Sequence, residues 1–202
     1  MKRNGLLFII SAPSGAGKTS LFKKVIEKVE DIKASVSHTT RSPRPDERDG
    51  VDYHFIRQEE FQEKIKRGEF IEWAEVHGNL YGTSVENLKI IQDRGLDLIL
   101  DIDIQGAEKI RKAYKNAICI FILPPSIEIL EDRLKGRGSD SEEEIQKRLN
   151  RAKEEILHYK NYGYVIINAD IDKAADELRS IIIAERCRVA TAKNILSLAG
   201  GM

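Results

Sequence analysis

The sequence predicts an α/β protein with three layers, in which helices cover both faces of a parallel β-sheet. Short apolar runs alternate along the chain with segments whose apolar residues recur at helical spacing, a pattern typical of β-α-β units. Two runs, Leu6–Ile10 and Ala117–Leu123, are apolar throughout, as expected of strands that are buried on both faces. The length of 202 residues and a hydrophobic content of 41% are sufficient for one sizeable core.

The strands and helices of this core follow from the same alternation. Strands are expected at residues 6–10, 96–103, 117–123 and 164–168. Helices are expected after the first strand, after the second as far as Ala113, at residues 127–134, and in a long segment with Ile145 and Leu149 on its apolar face. A last helix begins near Ile171. Residues 5–33, 96–134 and 150–193 therefore form the predicted core of a single domain, residues 1–202.

Two segments interrupt this core. Residues 34–95 contain short strand-like pieces such as YHFI and FIEWAEVHG and are too long for an ordinary crossover, so we interpret them as an inserted lobe. Residues 135–149 contain two glycines and the sequence SEEE at Ser141–Glu144, which fits a capping box that starts a helix. The spacing is compatible with an exposed connection between helices, or with a mobile lid bracketed by Arg133, Arg137 and Arg148.

Charge and composition limit the classes of partner and the cellular location that we expect for this protein. Basic and acidic residues both number 33, so no bulk positive field favours nucleic acid or an anionic membrane, and neither is expected as a partner. Leu6–Ile10 is shorter than the ~7 apolar residues of a signal-peptide core, and Ala117–Leu123 is far below the ~20 needed to span a bilayer. Cys119 and Cys187 are expected to be thiols in a reducing compartment, so we expect a cytoplasmic location. The sequence leaves the choice between monomer and homo-oligomer open.

The stretch SAPSGAGKTS, residues 11–20, predicts a loop that binds the phosphates of a nucleotide. Such a loop needs glycines that let backbone N–H groups converge, a lysine for the β- and γ-phosphates, and a hydroxyl for Mg²⁺. Gly15, Gly17, Lys18 and Thr19 supply these between a buried strand and an amphipathic helix, whose N-terminus favours anions. The usual first glycine is replaced by Ala12. Because Ala12 precedes a proline and is expected to be extended, we predict that it needs neither a positive φ nor contact with the ligand.

A second anion site is suggested by residues 35–55, SVSHTTRSPRPDERDGVDYHF. Arg41, Arg44 and Tyr53 suit a phosphate monoester, since arginine donates planar, bidentate hydrogen bonds. The spacing alone is equally compatible with a solvated charged loop, because Glu47 and Asp49 offset the arginines.

Five stretches taken together favour a phosphate-binding site over a solvated loop at residues 35–55. SAPSGAGKTS, SHTTRSPRPDERDGVDYHF, GEFIEWAEVHGNLYGTS, LDIDIQG and LKGRGSDSEEEIQKRL, in this order, closely resemble guanylate kinases. The resemblance runs from about Leu6 to Ala184 and implies a P-loop kinase fold with a GMP-binding lobe at residues 34–95 and a short helical lid at residues 135–149. It also implies transfer of the ATP γ-phosphoryl to GMP, and by extension to dGMP, in purine nucleotide metabolism, with Mg²⁺ as the metal.

The resemblance also assigns roles residue by residue. The ATP-binding residues would be Ala12, Pro13, Ser14, Gly15, Ala16, Gly17, Lys18, Thr19, Ser20 and, touching the adenine, Asn168. The ligands of the GMP phosphate would be Arg41, Arg44, Tyr53 and Tyr81, and the guanine readers Ser37, Glu72, Thr83 and Asp103. Lys18, Arg41, Arg133, Arg137 and Arg148 would be catalytic. Thr19 would bind Mg²⁺, with Asp101 acting through water, although Asp101 also fits a structural or capping carboxylate. Thr83 stands where serine is common, and it keeps the hydroxyl.

The hydrogen-bonding groups of guanine support the predicted guanine-binding residues independently of the resemblance. Guanine presents adjacent N1–H and N2–H donors, which the Glu72 carboxylate can accept as a pair, whereas adenine has an unprotonated N1. Two alternatives remain at this point: a catalytically silent binding module with the same fold, and a kinase for another nucleoside monophosphate. The retained Lys18 and Thr19 disfavour the first, and Glu72 with Ser37 and Thr83 disfavours the second.

Overall fold

The parallel core sheet has five strands. The structure is a computed structural model that describes residues 5–45, 47–76, 78–136 and 141–188, without the side chains of residues 90–93. The strand order is β2-β7-β1-β8-β9, and every neighbouring pair is parallel. These strands are β1 (Leu7–Ser11), β2 (Ile32–Ala34), β7 (Asp97–Asp101), β8 (Ile118–Leu123) and β9 (Tyr164–Ile167).

Helices cover both faces of this sheet, which confirms the predicted three layers. On one face, α1 (Lys18–Lys28) and α7 (Ile171–Arg186) pack on Phe8, Ile10 and Ile120. On the other face, α3 (Val85–Asp93) and α4 (Ile104–Ala113) pack on Leu98 and Leu100. Successive residues of β1 thus contact opposite layers, as the alternation of side chains along a strand requires.

The inserted segment forms a second, mixed sheet in the order β4-β3-β6-β5. Its strands are β3 (His38–Thr39), β4 (His54–Phe55), β5 (Phe70–Val76) and β6 (Asn79–Ser84), and helix α2 (Gln58–Lys66) lies between β4 and β5. Phe61 of α2 stacks on Phe70 with ring centroids 4.5 Å apart and is fully buried. This packing anchors α2 to the sheet.

Two elements near the predicted ends of the inserted lobe pack with the core. Strand β2 was not predicted, because its three residues carry little pattern. Ala34 of this strand pairs with Ile99, so the core sheet extends past residue 33. At the other end, α3 was assigned to the lobe, but Leu88 is buried in the core cluster with Leu7 and Leu98. These two elements therefore pack with the core sheet, and the division of the chain into core, lobe and lid stays a prediction.

The segment after β8 consists of paired helices. α5 (Ile127–Lys135) packs on α6 (Glu142–Ile156) through Leu130, Leu134 and Leu149. The capping box predicted at Ser141 is present: its hydroxyl accepts from Glu144 N–H, and the Glu144 carboxylate accepts from the Ser141 N–H. A short 3-10 helix at Leu157–Asn161 leads to β9. No helix among the described residues is long and apolar enough to cross a membrane.

Candidate active site

A cleft of about 290 Å³ lies beside the carboxyl ends of β1 and β7 and the mixed sheet. Ligands of open α/β sheets bind at this end of the strands, at a point where the strand order reverses. Residues 12–20 line the cleft together with six more of the predicted site residues: Ser37, Tyr53, Glu72, Tyr81, Asp101 and Asp103. The fold thus brings the two predicted nucleotide sites into one cavity.

The backbone of the phosphate loop adopts positive φ at its two glycines. Gly15 and Gly17 have φ of 93° and 85°, a region that side chains disfavour. A Cβ on Gly17 would also lie 2.6 Å from Asn168 Nδ2. Ala12 is not among the described residues with positive φ, as predicted. Gly17 is the N-cap of α1, so the loop lies at a helix N-terminus, where the dipole and the free N–H groups favour anions.

The side chains at the start of α1 contact the end of β7. Lys18 forms an ion pair with Asp101, and its Nζ donates to the Ile102 carbonyl at 2.9 Å. Thr19 Oγ1 donates to Asp101 Oδ2 at 3.3 Å. Hydroxyl, carboxylate and ammonium groups therefore converge at one point beside the loop.

Arg133 and Asn168 lie behind this loop. Arg133 Nη2 donates to the Asn168 carbonyl at 2.8 Å and Nη1 to the Ala16 carbonyl at 3.3 Å. Asn168 Nδ2 donates to the same Ala16 carbonyl at 2.8 Å, and Asn168 is 4% exposed. In this arrangement both side chains support the phosphate loop. The contact of Asn168 with adenine stays a prediction, and so does that of Arg133 with the transferring phosphoryl group.

The residues predicted to bind the acceptor phosphate form a cluster around Arg41. Its guanidinium carbon is 5.6 Å from the Tyr53 ring centroid, and the Tyr53 and Tyr81 rings are 6.0 Å apart. Burial lowers the pKa of Arg41, but hydrogen bonding with Glu47 and Tyr81 outweighs it and raises the pKa. Arg41 Nη2 donates to both oxygens of Glu47 at 2.8 Å, and the N–H of Arg44 also donates to Glu47 at 2.9 Å. Glu47 thus joins both arginines.

The predicted base-reading residues lie where β5 meets α4. Thr83 Oγ1 donates to Glu72 Oε1 at 2.7 Å, and Ser37, Glu72 and Thr83 are all buried. Asp103 caps α4 by accepting from the Gly106 N–H at 2.8 Å. Burial, reinforced by the Asp103 carboxylate and opposed by the Thr83 hydrogen bond, raises the pKa of Glu72 to about 7. The site therefore holds a buried carboxylate that ionises near neutral pH.

Comparison with known proteins identifies the family. The family model for guanylate kinase matches residues 4–185. The chain belongs to the guanylate kinase family. It is 52% identical to the guanylate kinase of Geobacter metallireducens, with 93% of each chain covered, and 51% identical to that of Geobacter sulfurreducens, with 98% of this chain and 97% of the relative covered. The crystal structure of guanylate kinase from Anaplasma phagocytophilum superimposes with a TM-score of 0.83 at 37% identity, covering 98% of this chain and 94% of that one.

Four predicted residues of this guanylate kinase family member contact the lining of the cleft without belonging to it: Arg41, Thr83, Arg133 and Asn168. Three others are not placed at the cleft by the described part of the structure. Arg137 lies outside the described residues. Arg148 is half-buried on α6, and Arg44 is exposed; neither belongs to the cleft lining. Their predicted roles in phosphate binding stay predictions.

Four residues that were not predicted from the sequence line the cleft or contact the predicted site residues: Glu47, Gly106, Arg151 and Glu155. Arg151 and Glu155 line the cleft. A Cβ on Gly106 would lie 2.6 Å from Glu72 Oε2, so this glycine permits the carboxylate to approach the start of α4. Helical spacing on α6 was the available signal for the Arg151–Glu155 pair, whereas the role of Gly106 depends on a contact between elements that are distant in sequence.

Proposed function

We propose that this protein transfers the γ-phosphoryl group of ATP to GMP by holding the two nucleotides at opposite ends of the cleft. The observation that carries the proposal is the buried Glu72 carboxylate, which accepts a hydrogen bond from Thr83 and lines the same cavity as the phosphate loop. A carboxylate and a hydroxyl suit the N1–H, N2–H and O6 groups of guanine, whereas adenine would leave the carboxylate without a donor.

On the donor side, the backbone N–H groups of residues 15–19 and the Lys18 ammonium would bind the β- and γ-phosphates. Lys18 would then leave or share its present partner, Asp101. Arg133 and Asn168 would keep the Ala16 carbonyl in place during this exchange.

The residues present fit a Mg²⁺ ion bound with ATP. Mg²⁺ takes oxygen ligands, keeps several waters and is usually bound by one or two carboxylates plus substrate phosphates. Thr19 Oγ1 and Asp101 Oδ2 are 3.3 Å apart and supply one hydroxyl and one carboxylate. Thr19 would hold the ion directly and Asp101 through water. Among the described residues, no three His, Cys, Asp or Glu side chains form a metal cluster, in line with a metal held largely by substrate oxygens. The bound ion would neutralise charge on the phosphates.

On the acceptor side, Arg41, Arg44, Tyr53 and Tyr81 would bind the phosphate of GMP. Its second pKa is ~6, so it is largely a dianion at neutral pH and needs no general base. Catalysis would then consist of alignment for in-line transfer and stabilisation of charge on the transferring group.

A panel of acceptors tests this proposal. ADP release is measured with GMP, dGMP, AMP, UMP and CMP under identical conditions. We expect turnover with GMP and dGMP and a value of kcat/KM for AMP lower by ~10⁴-fold, as in sites that hydrogen-bond their substrate. Equal activity with AMP would refute guanine recognition, and no activity with any acceptor would favour a silent binding module.

A further inference from the structure

We propose that Arg151 is a further residue of the donor site, whose guanidinium binds the phosphates of ATP, and that Glu155 is the positioning residue that orients it. The inference rests on the proposed assignment of residues 12–20 to ATP. It adds to the donor site a pair of side chains on α6.

Arg151 and Glu155 lie on one side of α6. Together with Arg148 they are spaced three and four residues apart, so they share a helix face, and all three are half-buried. The neighbouring Asn150 and Lys153 are exposed, and Leu149 and Ala152 are buried against α5. The half-buried side chains thus form a stripe between the buried face and the solvent face of the helix.

Two contacts direct this stripe toward the phosphate loop. Arg151 Nε donates to Glu155 Oε1 at 2.9 Å, and the backbone N–H of Ser14 donates to Glu155 Oε2 at 3.4 Å. One carboxylate therefore contacts the arginine with one oxygen and the loop with the other. Both side chains are partly accessible, with 34% of Arg151 and 19% of Glu155 exposed.

The contact through Nε leaves the other end of the guanidinium available. Arginine has five N–H donors in a rigid fork, and within the described part of the chain Nη1 and Nη2 of Arg151 make no hydrogen bond. A fork fixed at Nε by a carboxylate presents its Nη groups in a defined direction, as bidentate phosphate binding requires.

Arg151 adds a second cation to the lining of the cleft. Of the described residues that line the cleft, Lys18 and Arg151 are the cations. The nearby Arg133 uses both of its Nη atoms for the carbonyls of Ala16 and Asn168. A triphosphate in the loop therefore meets one cation from α1 and a second from α6.

Steady-state kinetics of the full-length protein tests the inference. Arg151→Gln should raise KM for ATP about tenfold, the scale of one charge-assisted hydrogen bond, while KM for GMP stays within about twofold. Arg151→Lys should restore part of this loss, because it keeps the charge without the fork. Glu155→Gln should give a smaller rise in KM for ATP. Lys153→Gln removes the same charge from the exposed face of the same helix and should have no effect.

Direct binding of a non-hydrolysable ATP analogue separates failure of this inference from failure of the donor-site assignment. If Lys18→Ala weakens analogue binding and Arg151→Gln does not, Arg151 is excluded and the loop assignment stands. If neither variant weakens binding, the assignment itself is wrong. A rise in both KM values of Arg151→Gln together with a lower melting temperature would show a merely structural role and would also overturn the inference.

Discussion

The replacement Glu72→Gln tests whether the buried Glu72 carboxylate carries the energetic cost that its burial implies. Burial raises the pKa of Glu72 to about 7, against an ordinary value of 4.5. At ~1.4 kcal/mol for each pH unit, this difference corresponds to about 3 kcal/mol. The folded protein therefore favours protonated Glu72, and ionisation of this group destabilises the fold.

The sign of the pH effect follows from this preference. Between about pH 4.5 and pH 7 the folded protein retains a proton on Glu72 that the unfolded chain has released. The stability that this group contributes is therefore fully present below pH 4.5, falls as the pH rises to 7 and is constant above it. The Glu72→Gln variant has no ionisable group at this position, so its free energy of unfolding lacks this fall. The free energy of unfolding of the variant relative to the parent should increase by about 3 kcal/mol from pH 4.5 to pH 8.

Urea unfolding across this range measures that increase. Comparing two pH values cancels any pH-independent effect of the amide on packing. Glu75→Gln, an exposed position on the same strand, is the matched control and should leave the pH dependence unchanged. A constant difference between Glu72→Gln and the parent from pH 4.5 to pH 8 would show that the environment of Glu72 does not favour its neutral form, and would refute the reasoning.

The same variant should lose selectivity for guanine. In the proposed complex GMP donates its N1–H and N2–H groups to the ionised carboxylate, so binding below pH 7 would release a proton from Glu72. Calorimetry of GMP binding at pH 6 in two buffers should detect close to one more proton released by the parent than by Glu72→Gln. The GMP phosphate also titrates in this range, but it does so in both proteins and cancels in the difference.

Two further predictions concern the residues that support each end of the cleft. Gly106→Ala places a methyl group 2.6 Å from Glu72 Oε2. The value of kcat/KM for GMP should therefore fall about ten- to a hundredfold, while KM for ATP is unchanged. Equal effects on both substrates would contradict the contact. Arg133→Gln removes donors to two carbonyls, so it should lower the free energy of unfolding by ~1–3 kcal/mol and raise KM for ATP, and Arg133→Lys should not rescue it. A fall in kcat without loss of stability would instead place Arg133 on the transferring phosphoryl group.

The sequence was most informative where the chemistry depends on residues close together in the chain. Gly15 and Gly17 stand just before Lys18 and Thr19, so the backbone N–H groups, the ammonium and the hydroxyl expected to bind phosphate and Mg²⁺ all lie within five residues. The buried strands were equally clear, because short, continuous apolar runs are typical of parallel strands covered on both faces. Strand β2 was missed because three residues, Ile32–Ala34, are too few to show a period, and their place at the sheet edge depends on pairing with β7.

The parts of the site that could not be predicted depend on contacts between distant segments. Gly106 lies 34 positions after Glu72, and nothing around either residue indicates that they touch. The raised pKa of Glu72 likewise results from burial by several elements. For Arg133, the resemblance implied contact with the transferring phosphoryl group, which stays a prediction. Its hydrogen bonds to the carbonyls of Ala16 and Asn168 join segments that are distant in sequence, so the sequence did not indicate them.

A common arrangement links both proposed phosphate sites: several of the proposed phosphate-binding cations are paired with a carboxylate. Lys18 pairs with Asp101, Arg41 with Glu47, and Arg151 with Glu155. The pairs fix the direction of each cation and reduce repulsion between neighbouring cations, in a chain whose formal net charge is zero. An incoming phosphate must then share or replace a carboxylate, so each contact contributes less net affinity than an unpaired cation would. Moderate affinity at both ends suits a kinase, because products that carry the same phosphates must leave the same sites after every turnover.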